Sequence, residues 1–140
     1  MDSLKLAKAI AAEASKAKAL NIKILNLGKL TSYTDYFVIC SGTSDRQMRA
    51  ISERARLELK KQGIRAFSSE GEQGGQWILA DFGDVVLHVF NEESRLYYDL
   101  EGFWKKAPRV RIPLGPVRKR TKVRSSPPKK KTKKVVKARS

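Results

Sequence analysis

The chain has 140 residues and a formal net charge of +16, from 30 Lys and Arg against 14 Asp and Glu. This length suits one domain with a hydrophobic core and is too short for two. Residues 1–104 contain as many acids as bases, whereas residues 105–140 contain all of the excess bases and no acid. The composition therefore predicts a neutral folded domain followed by a basic tail.

Cys40, the only cysteine, cannot form an internal disulfide and lies in an apolar run. We interpret it as a buried hydrophobic side chain. No apolar run approaches the ~20 residues of a membrane span, and the N-terminus lacks the apolar stretch of a signal peptide. These features favour a protein of the reducing cytoplasm without a membrane partner.

The N-terminal third predicts one helix and two strands. Asp2 or Ser3 can cap a helix that runs to about Leu20. Apolar residues at 21–27 and 35–40 then form two short runs that are typical of strands, the second of them central in a sheet.

A second helix beginning after Ser44 is the clearest local signal. Gln47 completes a capping-box pattern with Ser44, and Gly63 stands where a left-handed C-terminal residue belongs. If residues 64–70 are extended, a strand–helix–strand unit with a right-handed crossover results. The predicted buried stripe of this helix is Met48, Ile51, Ala55 and Leu59.

Residues 76–90 predict a β-hairpin with a two-residue turn at Gly83 and Asp84, which would fix the register of the strands. One face is then wholly apolar and belongs to the core: Ile78, Ala80, Phe82, Val85, Leu87 and Val89. The other face is mixed: Trp77, Leu79, Asp81, Val86, His88 and Phe90. A covering helix and a partner protein can each explain this mixed face, and the sequence leaves both open.

A last helix is expected at 91–104, with Asn91 as its N-cap. Its predicted inward stripe is Leu96, Leu100 and either Phe103 or Trp104. Prolines and bases then indicate a linker at 105–116 and disorder beyond it. On this basis the domain covers 1–108, and a disordered Lys/Arg-rich tail covers 109–140.

Residues 70–104 combine seven of the eleven aromatic residues with eight acids and one base. Aromatic anchors beside charge of one sign are typical of a docking surface for a basic partner. The predicted partner-binding residues are Trp77, Leu79, Asp81, Asp84, Val86, His88, Phe90 and Tyr98, with Tyr97 as the alternative to Tyr98. The same aromatic face could also form a homodimer, so the sequence leaves monomer and homodimer open.

The basic tail suits a phosphate backbone, because its bases would release counterions and no aromatic residue is interleaved to read bases. The expected contacts with ribosomal RNA are Arg118, Lys119, Arg120, Lys122, Arg124, Lys129, Lys130 and Lys131. A purely solubilising extension is the alternative.

Several separated blocks resemble the ribosomal silencing factor (RsfS, Iojap-like) family: TDYFVICSGTSDRQMRAI at 34–51, EG at 70–71, WILADFGDVVLHVF at 77–90 and SRLYYDLEGFW at 94–104. The resemblance spans nearly all of 1–108 and leaves the tail outside the family pattern. It implies a single small α/β domain, with a mixed sheet flanked by helices and a nucleotidyltransferase-like topology without that activity. It also implies binding to ribosomal protein uL-fourteen of the large subunit. Bound there, the factor would block association with the small subunit and repress translation under nutrient limitation.

An enzyme is the main alternative, because SGTS at 41–44 resembles the phosphate-binding turn of nucleotidyltransferases. Nucleotidyl transfer would need clustered carboxylates to hold Mg²⁺, yet Asp81 and Asp84 are separated across the predicted turn. His88 is the only histidine, and nothing places other ligands beside it. We therefore predict no catalysis, no cofactor and no metal site. A general RNA-binding protein acting through the tail is the third possibility.

Overall fold

A computed structural model describes residues 1–112, which form one mixed sheet of six strands with helices on it. The elements in chain order are α1 (Ser3–Lys16), β1 (Leu20–Asn26), β2 (Tyr36–Ser41), α2 (Asp45–Lys61), β3 (Ser68–Glu70), β4 (Trp77–Asp81), β5 (Val85–Phe90), α3 (Glu92–Tyr98), α4 (Leu100–Phe103) and β6 (Arg109–Val110). The strand order is β3-β4-β5-β2-β1-β6, in which only β2 and β5 pair in parallel. The expected α/β class is confirmed.

The main core lies between the sheet and helices α1 and α2, which run antiparallel along one face. Glu13 of α1 pairs with Arg54 of α2 at 3.0 Å, and the Gln47 side chain reaches the backbone carbonyl of Lys18 at 2.9 Å. The predicted stripe of α2 is fully buried in this core. Because these residues recur every three or four positions, one side of the helix carries all of them.

Helix α1 ends at Lys16, earlier than the expected Leu20. The chain turns through Lys18, whose φ is +69°, and Leu20 instead begins β1. Gln47 stabilises this turn from α2, so the helix is ended by a contact from a distant part of the sequence. Gln47 makes only half of the expected capping box. Its backbone N–H donates to Ser44 Oγ at 3.0 Å, while its side-chain oxygen accepts from the Thr43 N–H.

The hairpin of β4 and β5 has the predicted turn and register. Phe82 N–H donates to the Val85 carbonyl at 2.9 Å across Gly83 and Asp84, and Gly83 adopts φ +90°. Each predicted pair is present, from Asp81 opposite Val86 to Trp77 opposite Phe90. All six residues predicted for the apolar face are buried in the main core.

The opposite sheet face is covered in part, so intramolecular cover explains one portion of it, and the partner explanation stays a prediction for the rest. A smaller cluster is buried here, formed by Leu25, Leu27, Phe37, Ile39, Phe90 and Ala107. Leu100 and Trp104 pack against it from the segment after α3. Toward the hairpin the cover ends, and Trp77, Leu79 and Val86 are half-exposed.

The last predicted helix is two short helices, because Asp99 adopts φ +47° and ψ +53°. Its carboxylate caps α4 by accepting from the Gly102 N–H at 3.1 Å. The expected inward stripe is wrong at Leu96, which is 80% exposed. Leu100 packs inward, and of the two alternatives for the last position Trp104 packs inward while Phe103 is 76% exposed. Arg95 points inward in place of Leu96, and it is 7% exposed.

The sheet continues two residues beyond the boundary expected at 108, into the segment predicted to be a linker. Val110 and Arg109 pair with Ile24 and Leu25 of β1, and Ile112 packs against the main core. The expected disorder and RNA contacts of the tail concern positions beyond 112, outside the described residues.

Candidate docking groove

A groove of about 480 Å³ opens on the sheet face opposite α1 and α2. We call it the docking groove, and its lining residues are Tyr33, Thr34, Phe37, Phe67, Trp77, Leu79, Asp81, Gly83, Val86, His88, Leu100, Phe103 and Trp104. Most of these side chains are apolar or aromatic, and Asp81 alone among them carries a formal charge at neutral pH. This composition matches a protein-binding groove with a single fixed anion.

The floor of the docking groove is an aromatic stack on β4 and β5. The Trp77 ring stacks on Phe90 with centroids 4.9 Å apart, and Tyr98 lies 4.8 Å from Trp77 and 6.4 Å from Phe90. Phe37 meets His88 edge-on at 4.3 Å. Each ring contacts at least one other ring, so Trp77 is held in a fixed orientation. Less side-chain conformational entropy is therefore lost when a partner binds.

His88 is held neutral in this floor. Its Nδ1 accepts a hydrogen bond from Trp77 Nε1–H at 3.1 Å, so the proton of the neutral ring sits on Nε2. Burial lowers the pKa of His88 from 6.5 to about 3, because the imidazolium would lose its hydration. Within residues 1–112, Nε2 has no hydrogen-bond partner.

An acidic rim borders the groove at the hairpin turn. Asp81 Oδ1 accepts from the Gly83 N–H at 2.7 Å, which fixes the carboxylate at the end of β4. Asp84 is exposed in the turn, and Glu70 pairs with Leu79 and therefore shares its face. Glu72 lies 3.9 Å from Arg56 of α2, on the other side of the sheet.

Three exposed aromatic residues that the sequence did not indicate also line the groove. Tyr33, Phe67 and Phe103 come from three separate segments and are 77%, 79% and 76% exposed. Tyr33 and Phe67 belong to no periodic pattern, and the pattern that includes Phe103 predicted either it or Trp104 to face inward, so only the folded chain brings the three together. For Tyr33 and Phe67 the signal in the sequence is an aromatic residue at a position where no core stripe requires one.

The predicted docking residues divide by depth. Trp77, Leu79 and Val86 are half-buried at the groove surface. Phe90 has no exposed surface and His88 has 3%, so these two support the surface from beneath. Tyr98 is 45% exposed beside Trp77, and this contact distinguishes it from Tyr97, which touches Tyr98 from outside.

A buried ion pair fixes α3 and α4 against the sheet. The Arg95 guanidinium donates two hydrogen bonds to Glu101, at 2.8 and 3.0 Å, and a third to Ser41 Oγ at 2.8 Å. Ser41 in turn donates to Glu92 at 3.0 Å. The hydrogen bonds from Arg95 hold the pKa of Glu101 below its usual range. Because α4 carries Phe103, this network positions one wall of the groove.

The SGTS turn at 41–44 is closed by its own helix. The Thr43 N–H and hydroxyl both donate to the Gln47 side-chain oxygen, at 2.6 and 2.8 Å, which leaves fewer free donors for a phosphate. The turn follows Ser41, which pairs with Phe90, whereas Asp81 pairs with Val86. Four residues of β5 separate these positions, roughly 13 Å at ~3.3 Å per residue. The turn and the Asp81 carboxylate therefore do not meet around one phosphate.

Metal ligands, the Cys40 thiol and apolar helices are the other features of this part of the chain that bear on function. Residues 1–112 contain no group of three or more His, Cys, Asp or Glu side chains that could hold a metal ion. Cys40 is fully buried, and burial raises the pKa of its thiol to about 12. Among the described helices, none has both the length and the apolar character needed to cross a membrane.

Comparison with known proteins identifies the family. A family model described as "Ribosomal silencing factor during starvation" matches residues 1–139. The chain belongs to the ribosomal silencing factor family. The resemblance seen in the sequence is thereby confirmed, but the match extends through most of the tail, which we had expected to lie outside the family pattern.

Curated relatives and solved structures agree with this membership. Ribosomal silencing factor RsfS of Bacillus subtilis is 36% identical over 82% of this chain and 98% of its own length. The chloroplastic protein Iojap of Zea mays is 34% identical over 81% of this chain and 49% of its own length. A crystal structure of a Chromobacterium violaceum protein matches with a TM-score of 0.73 and 32% identity, covering 82% of this chain and 95% of that one.

Proposed function

We propose that this ribosomal silencing factor represses translation by docking on the large ribosomal subunit through the docking groove. The partner we infer is ribosomal protein uL-fourteen, as the family resemblance implies. A domain bound at the joining face would exclude the small subunit by its bulk. We further propose, as the family resemblance implies, that this repression acts under nutrient limitation, and we place it in the cytoplasm.

The observation that carries this proposal is the combination of half-exposed anchors with an acidic rim. Trp77, Leu79 and Val86 offer apolar surface that has no cover in the described residues, while Phe103 extends it. Interfaces of this kind take most of their binding free energy from a few aromatic anchors. The Asp81 and Asp84 carboxylates suit the basic surface that is typical of ribosomal proteins.

A binding role without catalysis is part of the proposal. The relatives are named as ribosomal silencing factors, which describes regulation. The closed SGTS turn and its distance from Asp81 support the same view. Titration calorimetry with nucleoside triphosphate and Mg²⁺ tests it: saturable binding that Asp81→Asn abolishes would favour the nucleotidyltransferase alternative.

Two variants and a matched control test the groove. Phe103→Ser removes an exposed ring that lines it, and Trp77→Ala removes the half-buried anchor; Leu96→Ser removes an equally exposed apolar side chain that does not line it. We expect Phe103→Ser to weaken binding to purified large subunits about tenfold and Trp77→Ala to weaken it more, at roughly 1–3 kcal/mol each. Leu96→Ser should bind normally.

Co-sedimentation measures this binding, and light scattering of mixed subunits measures whether their association is blocked. Circular dichroism melting of each variant ensures that lost binding is not lost folding. If Trp77→Ala and Phe103→Ser both retain full binding, the groove is not the docking site.

The general RNA-binding alternative predicts a different result. A chain ending at 112 keeps β6, which truncation at 108 would remove from the sheet. Our proposal expects this shortened chain to bind large subunits at low salt. Complete loss of its binding would make the tail, with its expected contacts to ribosomal RNA, the binding element.

A further inference from the structure

The outer surface of α1 and α2, on the side of the sheet away from the docking groove, is strongly basic. Residues 2–18 and 45–65 contain eleven bases and five acids, so this layer has a net charge of +6. The remaining described residues contain seven bases and nine acids, a net charge of −2. The helix layer and the rest of the described chain therefore differ in the sign of their net charge.

Three of the five acids of this layer are engaged, and the other two, Asp45 and Glu53, stand exposed with no base of the described residues within 4.0 Å, so unpaired bases outnumber unpaired acids on this surface. Glu13 is shared by Lys16 and Arg54 at 3.4 and 3.0 Å, and Glu58 pairs with Lys61 at 3.0 Å. Asp2 caps α1. Within residues 1–112, seven bases of the layer have no carboxylate within 4.0 Å: Lys5, Lys8, Lys18, Arg46, Arg49, Lys60 and Arg65.

The spacing of these bases suits an extended anion. Arg46, Arg49 and Lys60 lie on exposed positions of α2, and Lys5 and Lys8 lie on α1 beside it. From Arg46 to Lys60 the helix rises roughly 21 Å at ~1.5 Å per residue. A span of this length follows several successive phosphates of a nucleic acid better than it fits one small anion.

The described chain ends at Ile112, on the same side of the sheet as α1 and α2. Val110 and Ile112 pack there against the core beneath the two helices. The sequence that follows, 113–140, contains twelve bases and no acid. Both concentrations of positive charge thus begin on the same side of the domain.

We propose that the outer face of α1 and α2 is a second binding surface, which holds the phosphate backbone of RNA while the docking groove stays free for a protein. Recognition is electrostatic and independent of base sequence, because no aromatic residue lies among the bases of this face. The surface is separate from the groove, so the two can be engaged at once.

The test is fluorescence anisotropy of the full chain with a labelled RNA duplex over a series of KCl concentrations. Arg46→Glu with Arg49→Glu reverses the charge at two exposed, unpaired bases. Glutamate near the N-terminus of α2 interacts favourably with the helix dipole, so the helix should still form. We expect affinity to fall about tenfold or more, and the slope of log Kd against log salt to fall by about 1 to 2.

Lys105→Glu with Lys106→Glu is the matched control, because it changes the net charge equally at exposed bases near the groove. This control should leave the slope unchanged. An equal loss of RNA affinity in both double variants overturns the proposal and assigns RNA binding to net charge. No loss of affinity in the α2 double variant also overturns it and assigns RNA binding to the tail. Arg46→Gln with Arg49→Gln gives the same test if the reversed variant unfolds.

The variant Trp77→Ala separates this proposal from the proposed function. It should bind the RNA duplex as tightly as the unaltered chain while losing the large subunit. If Trp77→Ala weakens RNA binding as much as the α2 variant does, the RNA lies in the groove and the second surface is refuted.

Discussion

The buried imidazole of His88 makes the stability of this domain depend on mild acid. In the unfolded chain the side chain titrates near 6.5, whereas burial lowers its folded-state pKa to about 3. The folded state therefore binds fewer protons, and its stability is complete above pH 6.5 and decreases as the pH falls toward 3. Protonation would also set an Nδ1–H against the Trp77 N–H that donates to it.

The magnitude follows from the width of the interval. As the pH falls from 6.5 to 4.5, the ordinary pKa of glutamate, the buried His88 lowers the free energy of unfolding by about 2–3 kcal/mol. The depressed pKa of Glu101 acts in the same direction, but below 4.5. The upper interval therefore isolates the histidine.

Urea unfolding followed by tryptophan fluorescence measures this loss. His88→Gln can still accept from Trp77 Nε1–H but does not titrate, so the free energy of unfolding of this variant should change by about 2–3 kcal/mol less over the interval. Any constant difference from lost ring packing cancels in this comparison. An unaltered chain and a His88→Gln variant with equal pH dependence would refute the reasoning.

Two further predictions concern buried groups outside the groove floor. Arg95→Met should destabilise the domain by about 2–4 kcal/mol, because it leaves Glu101 and Ser41 without their main partner. Since the Glu101 side chain is 26% exposed, this loss is smaller than that for a fully buried ion pair. Lys61→Met, which breaks an exposed pair, should leave the melting temperature unchanged. Cys40 should react with a thiol reagent only at the rate of unfolding, since the thiol is buried and its pKa is about 12. Rapid reaction of the native protein would contradict that burial.

The hairpin was predictable because its determinants are local. Gly83 and Asp84 form a turn whose geometry sets every pair of β4 and β5, and period-two alternation then assigns each face. The capped start of α2 at Ser44 was predictable for the same reason, since cap and partner are three residues apart.

The region after β5 was not predictable, because tertiary contacts overrode its helical pattern. Leu96 continues an apolar period, yet Arg95 is drawn inward by Ser41, which is 54 positions away in the sequence. Asp99 then adopts a left-handed conformation, and the residue types around it do not indicate that the helix is interrupted there. The short β6 strand has little pattern of its own and depends on the free edge of β1.

The two walls of the docking groove differ in how firmly the fold holds them. Its floor belongs to strands β4 and β5, whose alternate residues form the main core, so the backbone there is held firmly in place. Helix α4 contains no buried residue and joins α3 through the single left-handed residue Asp99. A change at the exposed Phe103 can therefore reshape the mouth of the groove at little thermodynamic cost, whereas Leu100 and Glu101 hold α4 to the rest of the domain.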